Sequence, residues 1–139
     1  MKHYAVIDTN VLVSAMLKKA SIPNYVIQET LEGDIIPLLN KEILEEYWEV
    51  LTRPKFKFPE NAIMTMVMGF IKRAIFVDAV PIDEILPDSK DVVFYEVVME
   101  GRKSKNAYLV TGNLKHFPEK SFIVSPKEML EIVEDSREE

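Results

Sequence analysis

Short apolar runs alternate along the chain with stretches whose apolar residues recur at spacings of three and four. Tyr4-Ala5-Val6-Ile7, Ile35-Ile36-Pro37-Leu38-Leu39, Phe76-Val77-Asp78-Ala79-Val80, Ala107-Tyr108-Leu109-Val110 and Phe122-Ile123-Val124 have the length and β-former content of buried strands. Val11 to Leu17, Ile22 to Leu31, Lys41 to Thr52, Asn61 to Ile75 and Pro126 to about Val133 have the helical period. Their ends carry the expected chemistry. Thr9 or Asn10 can cap the first helix, Ser21 the second with Pro23 in its first turn, Asn40 the third and Ser125 the last, while Gly33 and Pro54 stop two of them. Pro37 cannot donate to a ladder, which predicts an edge position for its strand.

Asp88 to Glu100 sets two signals against each other. Val92-Val93-Phe94-Tyr95 favours a strand, whereas Asp88-Ser89-Lys90-Asp91 reads as a cap followed by a first-turn acid. Propensity is the weaker signal, so a helix is expected. Strands and helices then alternate from end to end, which predicts an α/β three-layer sandwich around a mainly parallel sheet. Residues 1–139 form one domain on this reading, with a loop from Pro81 to Pro87 and an acidic tail from about 134.

Composition narrows the chemistry. The chain has no cysteine, which excludes disulfides and thiolate metal sites, and its only two histidines, His3 and His116, count against a histidine-rich metal site. A bound metal would be held by oxygens, which points to Mg2+ or Mn2+. No apolar run approaches the ~20 residues of a membrane span, and the N-terminus lacks the apolar core of a secretory signal, so a cytoplasmic protein is expected. The net charge of −6 counts against a broad nucleic-acid surface, and acids gathered at a metal site would account for part of it. The phosphate loops G-x-x-x-x-G-K-[ST] and G-x-G-x-x-G are missing, as is the nucleophile elbow G-x-S-x-G.

Asp8 ends the first strand, and ligands of open parallel sheets bind outside the carboxyl ends of strands. Taken singly, each candidate acid has an ordinary explanation: Asp8 and Asp88 as caps, Asp91 as a partner of the helix dipole, Glu45 and Glu46 as a solvated helix face. Together, Asp8, the start of the fifth helix and the Thr111-Gly112-Asn113 turn fall at one edge of the sheet. Acids gathered there repel one another without a cation, and a divalent ion both relieves that repulsion and lowers the pKa of a bound water. Such a site suits attack by water on a phosphodiester. Arg53, Lys55 and Lys57 interleave with Phe56 and Phe58 in a stretch that could contact phosphates and bases or simply bury two aromatics. Arg102, Lys103 and Lys105 form a second basic patch.

Val6-Ile7-Asp8-Thr9-Asn10-Val11-Leu12-Val13-Ser14-Ala15 resembles the opening motif of PIN-domain proteins, in particular the VapC-like toxin branch of toxin–antitoxin systems. Ile43 to Pro54, Pro87 to Phe94, Tyr108 to Asn113 and Ser125 to Leu130 resemble the later motifs in order, so the resemblance covers nearly the whole chain. It implies a ribonuclease that uses Mg2+ or Mn2+, with Asp8, Glu46 and Asp91 as metal ligands and Asn113 completing the catalytic set. Glu45 is the alternative to Glu46, Asp88 an accessory acid and Glu96 a further one. Thr9, Asn10 and Ser14 would orient the first acid or meet substrate, with Arg53 on phosphate. Many PIN domains have Asp where this chain has Asn113, which removes one negative charge. The resemblance also implies an RNA substrate, an antitoxin partner and a homodimer. Two other readings compete: a PIN-like domain that binds RNA or a partner protein without cutting, and a phospho-acceptor with Asp8 as nucleophile. The second lacks an acid two residues on, where Asn10 stands.

Overall fold

A five-stranded sheet, parallel throughout, forms the middle of the molecule in the order β3-β2-β1-β4-β5. The computed structural model describes residues 2–138. In chain order the elements are β1 (His3–Ile7), α1 (Thr9–Leu17), α2 (Ile22–Glu32), β2 (Ile35–Leu39), α3 (Lys41–Leu51), α4 (Glu60–Arg73), β3 (Ile75–Phe76), α5 (Val92–Gly101), β4 (Ala107–Val110), β5 (Ile123–Val124) and α6 (Pro126–Arg137). One 3-10 turn, Ser89–Asp91, leads into α5, and another, Leu114–His116, follows β4. The α/β architecture with a parallel sheet is the one the alternating pattern predicts.

Local chemistry explains the helix starts. Ser21 Oγ accepts from the Asn24 amide, Asn40 Oδ1 accepts from Ile43, and Ser125 with Glu128 forms a reciprocal capping box. Gly33 ends α2 at φ 96°, a conformation open to glycine at little cost. The valines of α5 are helical because Phe94, Val97, Val98 and Gly101 fall on one buried stripe. Gly101 lets α5 approach the sheet closely: a Cβ there would lie 2.6 Å from Leu38 Cδ1. Tyr47 of α3 is fully buried, edge-on to Phe70 of α4 and near-parallel to Phe94 of α5, so one ring joins three helices.

Three expectations need correction. β2 is interior, with β1 on one side and β3 on the other. Pro37 is tolerated because β3 pairs only with Leu38 and Leu39, leaving Pro37 opposite Ala5 of β1 alone. The third strand is two residues rather than Phe76 to Val80: α4 ends at Arg73, Ile75 joins the sheet, and after Val77 donates to the Leu39 carbonyl the chain leaves it. The acidic C-terminus is helical through Arg137, which bridges Glu29 and Asp34 and so ties the end of α6 to the α2–β2 junction.

The strand order fixes where a site can form. From β1 the chain moves to β2 on one side and later returns to β4 on the other. The order therefore reverses between β1 and β4, and the crevice lies at their carboxyl ends.

Candidate metal centre

Asp8 is the first residue beyond β1, and its amide donates to the Val110 carbonyl at 2.9 Å. It is only 5% exposed. Its Oδ2 accepts from the Thr111 hydroxyl at 2.8 Å and from Asn10 Nδ2 at 3.1 Å. The network continues on both sides. The Asn113 amide donates to Thr111 Oγ1 at 3.0 Å, and the Gly112 amide donates to Asn10 Oδ1 at 3.1 Å. The β1–α1 and post-β4 turns are thus locked around one carboxylate. Burial pushes Asp8 up to about 6; the Thr111 hydroxyl opposes the rise and the Asp91 carboxylate adds to it.

Asp91 comes from the 3-10 turn ahead of α5 and is also buried. Burial and then the neighbouring Asp88 raise its pKa, against a His116 contact that lowers it. Glu46, half-buried on α3, is raised by burial and then by Glu49; Lys90 and Arg53 pull it down and Asp91 pushes it up. Tyr47, next along α3, donates its hydroxyl to the Ile7 carbonyl and seats the helix against the end of β1. Asp8, Asp91 and Glu46 therefore share one region, and each is harder to ionise than an ordinary carboxyl.

The remaining expected residues separate. Glu45 is turned to solvent and pairs with Lys41 at 3.8 Å, so geometry favours Glu46. Asp88 caps its own turn by accepting from the Lys90 amide, and Glu96 accepts from the Ile82 amide, holding the loop after β3. Asn10 Nδ2 donates to Asp8 Oδ2. Thr9 is buried rather than presented to substrate, and its hydroxyl has no hydrogen-bond partner among the described residues. Ser14 is exposed and, with Asn10, Gly112 and Asn113, lines a small depression of about 150 Å³. Arg53 pairs with Glu49 at 2.8 Å, and Phe56 and Phe58 stack on each other with centroids 5.2 Å apart. Arg102 and Lys105 cover Phe122 and Tyr4 near the opposite edge, away from the acids. Thr111, Tyr47 and His116 contribute to the site beyond the expected set. The ends of β1 and β4 were the signal for Thr111; nothing in the sequence spacing pointed to the contact of His116 with Asp91.

The donor set fits a hard divalent cation: all oxygens, with repulsion among carboxyls that a cation relieves. An orphaned buried hydroxyl directly after Asp8 leaves hydrogen-bonding capacity unused there. The carboxyls are not drawn tightly together. Among the described residues, the one trio with oxygens all within 4.8 Å of one another is Glu29, Glu32 and Asp34, at the α2–β2 junction. That trio already has its counter-charge in Arg137. A second groove, of about 510 Å³ between α3 and α5, is lined by Glu42, Glu45, Glu46, Glu49 and Glu96 with Lys90. The carboxylates on that side of Glu46 repel a polyanion, whereas the depression by Asn10 and Asn113 is lined by uncharged residues.

Residues 4–115 match the PIN domain, a span of more than half the chain. The chain belongs to the PIN-domain family. PIN domains are generally metal-dependent nucleases, and the acids of this chain stand where its fold places a ligand site. The fold is similar to that in the crystal structure of PAE2754 from Pyrobaculum aerophilum, with a TM-score of 0.55 and 13% identity over 96% of this chain and 90% of that one. No curated protein matches the sequence. Among the described residues, no helix of this PIN domain is long and apolar enough to cross a membrane.

Proposed function

We propose that this PIN domain is an endoribonuclease dependent on Mg2+ or Mn2+, with Asp8, Glu46 and Asp91 as metal ligands. We extend the reading to the toxin component of a toxin–antitoxin pair, acting as a homodimer restrained by a protein partner. The observation that carries the nuclease reading is the buried Asp8 at the strand-order reversal, near enough to Asp91 for that carboxylate to raise its pKa and hydrogen-bonded by Thr111 and Asn10.

Asp8, Glu46 and Asp91 would hold a divalent cation, which would supply charge neutralisation for a phosphodiester and acidify a bound water. The protein's own part is positional. Thr111 and Asn10 fix the Asp8 carboxylate, and Tyr47 fixes the helix that carries Glu46. Asn10, Ser14 and Asn113 offer neutral hydrogen-bonding groups along the depression where a phosphodiester can lie. Asn113 can accept or donate there without adding charge.

A second reading is favoured by Asn113 itself, exposed and uncharged at the fourth position: a domain that binds RNA without cutting it. Both readings are tested by incubating the purified chain with single-stranded and structured RNAs and with DNA, in Mn2+, Mg2+ or chelator. Metal-dependent RNA cutting that disappears in Asp8→Asn supports the nuclease. RNA binding without cutting by the parent, with cutting gained in Asn113→Asp, supports the second reading.

A further inference from the structure

His116 stands in the 3-10 turn after β4, with Nδ1 3.1 Å from Asp91 Oδ2. The two side chains differ sharply in exposure, 43% for the histidine and 12% for the aspartate, so a surface imidazole covers an enclosed carboxylate. The turn is well anchored. The His116 amide donates to the Asn113 carbonyl at 3.0 Å, and the next residue, Phe117, is buried. An ionised carboxylate has no hydrogen to give, so Nδ1 carries the proton and donates it. The same turn brings Asn113 to the sheet edge, so one short segment supplies both the neutral fourth position and the partner of the third acid.

We infer that His116 is a positioning residue for Asp91, holding one carboxylate oxygen through Nδ1–H so that the other is presented toward Asp8 and a shared cation. The inference rests on the metal site proposed above and deepens it. An imidazole on a ligating carboxylate fixes the direction of that ligand, and losing such a partner weakens metal binding about 10- to 100-fold. A plain surface ion pair would leave metal affinity unchanged.

The test is a calorimetric titration of Mn2+ into the full chain, at pH 8, for the parent, Asp8→Asn, His116→Asn, His116→Ala and His116→Gln. Asparagine places an amide N–H close to the position of Nδ1; glutamine places it one atom further out. The expected result is parent and His116→Asn alike, with His116→Ala and His116→Gln weaker by about 10-fold or more. Melting without metal shows whether each variant is folded. If His116→Ala binds Mn2+ as the parent does while Asp8→Asn does not bind, the positioning role is overturned and the metal site stands. If His116→Asn falls with His116→Ala, the Nδ1 hydrogen bond is not what matters and the inference also fails. If the parent takes up no Mn2+, the proposed metal site fails and this inference goes with it.

Discussion

Thr111 follows Val110 as Asp8 follows Ile7, and because Ile7 and Val110 are paired across the β1–β4 ladder, the Thr111 hydroxyl lies 2.8 Å from Asp8 Oδ2. Thr111→Val keeps the shape and removes the donor. It also takes away the acceptor of the Asn113 amide. Mn2+ affinity is expected to fall about 10- to 100-fold, with Thr111→Ser near the parent. Equal affinity in all three chains, measured by calorimetry, would show that the hydroxyl does not matter.

Asp8 makes stability depend on pH. Its pKa of about 6 lies above the ordinary value of 3.8, so as pH rises the unfolded chain loses this proton before the folded one. The cost is absent below about pH 4 and complete above about pH 6, reaching roughly 3 kcal/mol for a two-unit shift. Asp8→Asn, which carries no charge, is therefore expected to be more stable than the metal-free parent at pH 7.5, with the gap closing toward pH 4. Urea unfolding at the two pH values measures it, and a gap independent of pH contradicts the assignment.

Glu46 and Glu45 are adjacent but differ in environment. Glu46→Gln is expected to lower metal-dependent cleavage by on the order of 100-fold, as for loss of a group that organises transition-state charge. Glu45→Gln, which loses only an exposed pair with Lys41, should stay within about 2-fold. Initial rates at saturating Mn2+ separate them, and the opposite ranking would move the second ligand to Glu45.

Tyr47→Phe tests the seat of α3. The change leaves the buried Ile7 carbonyl without the hydroxyl it accepts from, a loss of about 1–3 kcal/mol by urea unfolding. An unchanged midpoint would mean that packing on Phe70 and Phe94 alone holds the helix.

Strand and helix placement was largely readable because period and capping agreed, as at Ser21, Asn40 and Ser125. Val77 to Val80 has the composition of a strand but lies outside β3, because pairing depends on how much of β2 remains free beyond Pro37. Likewise the acidic end of α6 has the composition of a tail, and it is helical because Arg137 meets Glu29 and Asp34 and Ser136 meets His3. At the site, Glu46 and Asp91 stood out by motif likeness alone, while the placement of Asp8 and of the Thr111 turn at one sheet edge was legible from strand ends. The covering of Asp91 by His116 was not, because it joins two turns 25 residues apart through side-chain direction alone.

The sheet order has a bearing on synthesis. β1 is central and is made before β2 and β4, and β4 follows it only much later in the chain, so the Asp8–Thr111 contact spans 103 positions. A chain still being translated can pair β1 with β2 but leaves the other flank of β1 open and Asp8 without its hydroxyl partner. The crevice closes only once β4 and the turn after it have been made, so a nascent form that stops short of Thr111 carries Asp8, Glu46 and Asp91 without the hydroxyl that fixes Asp8.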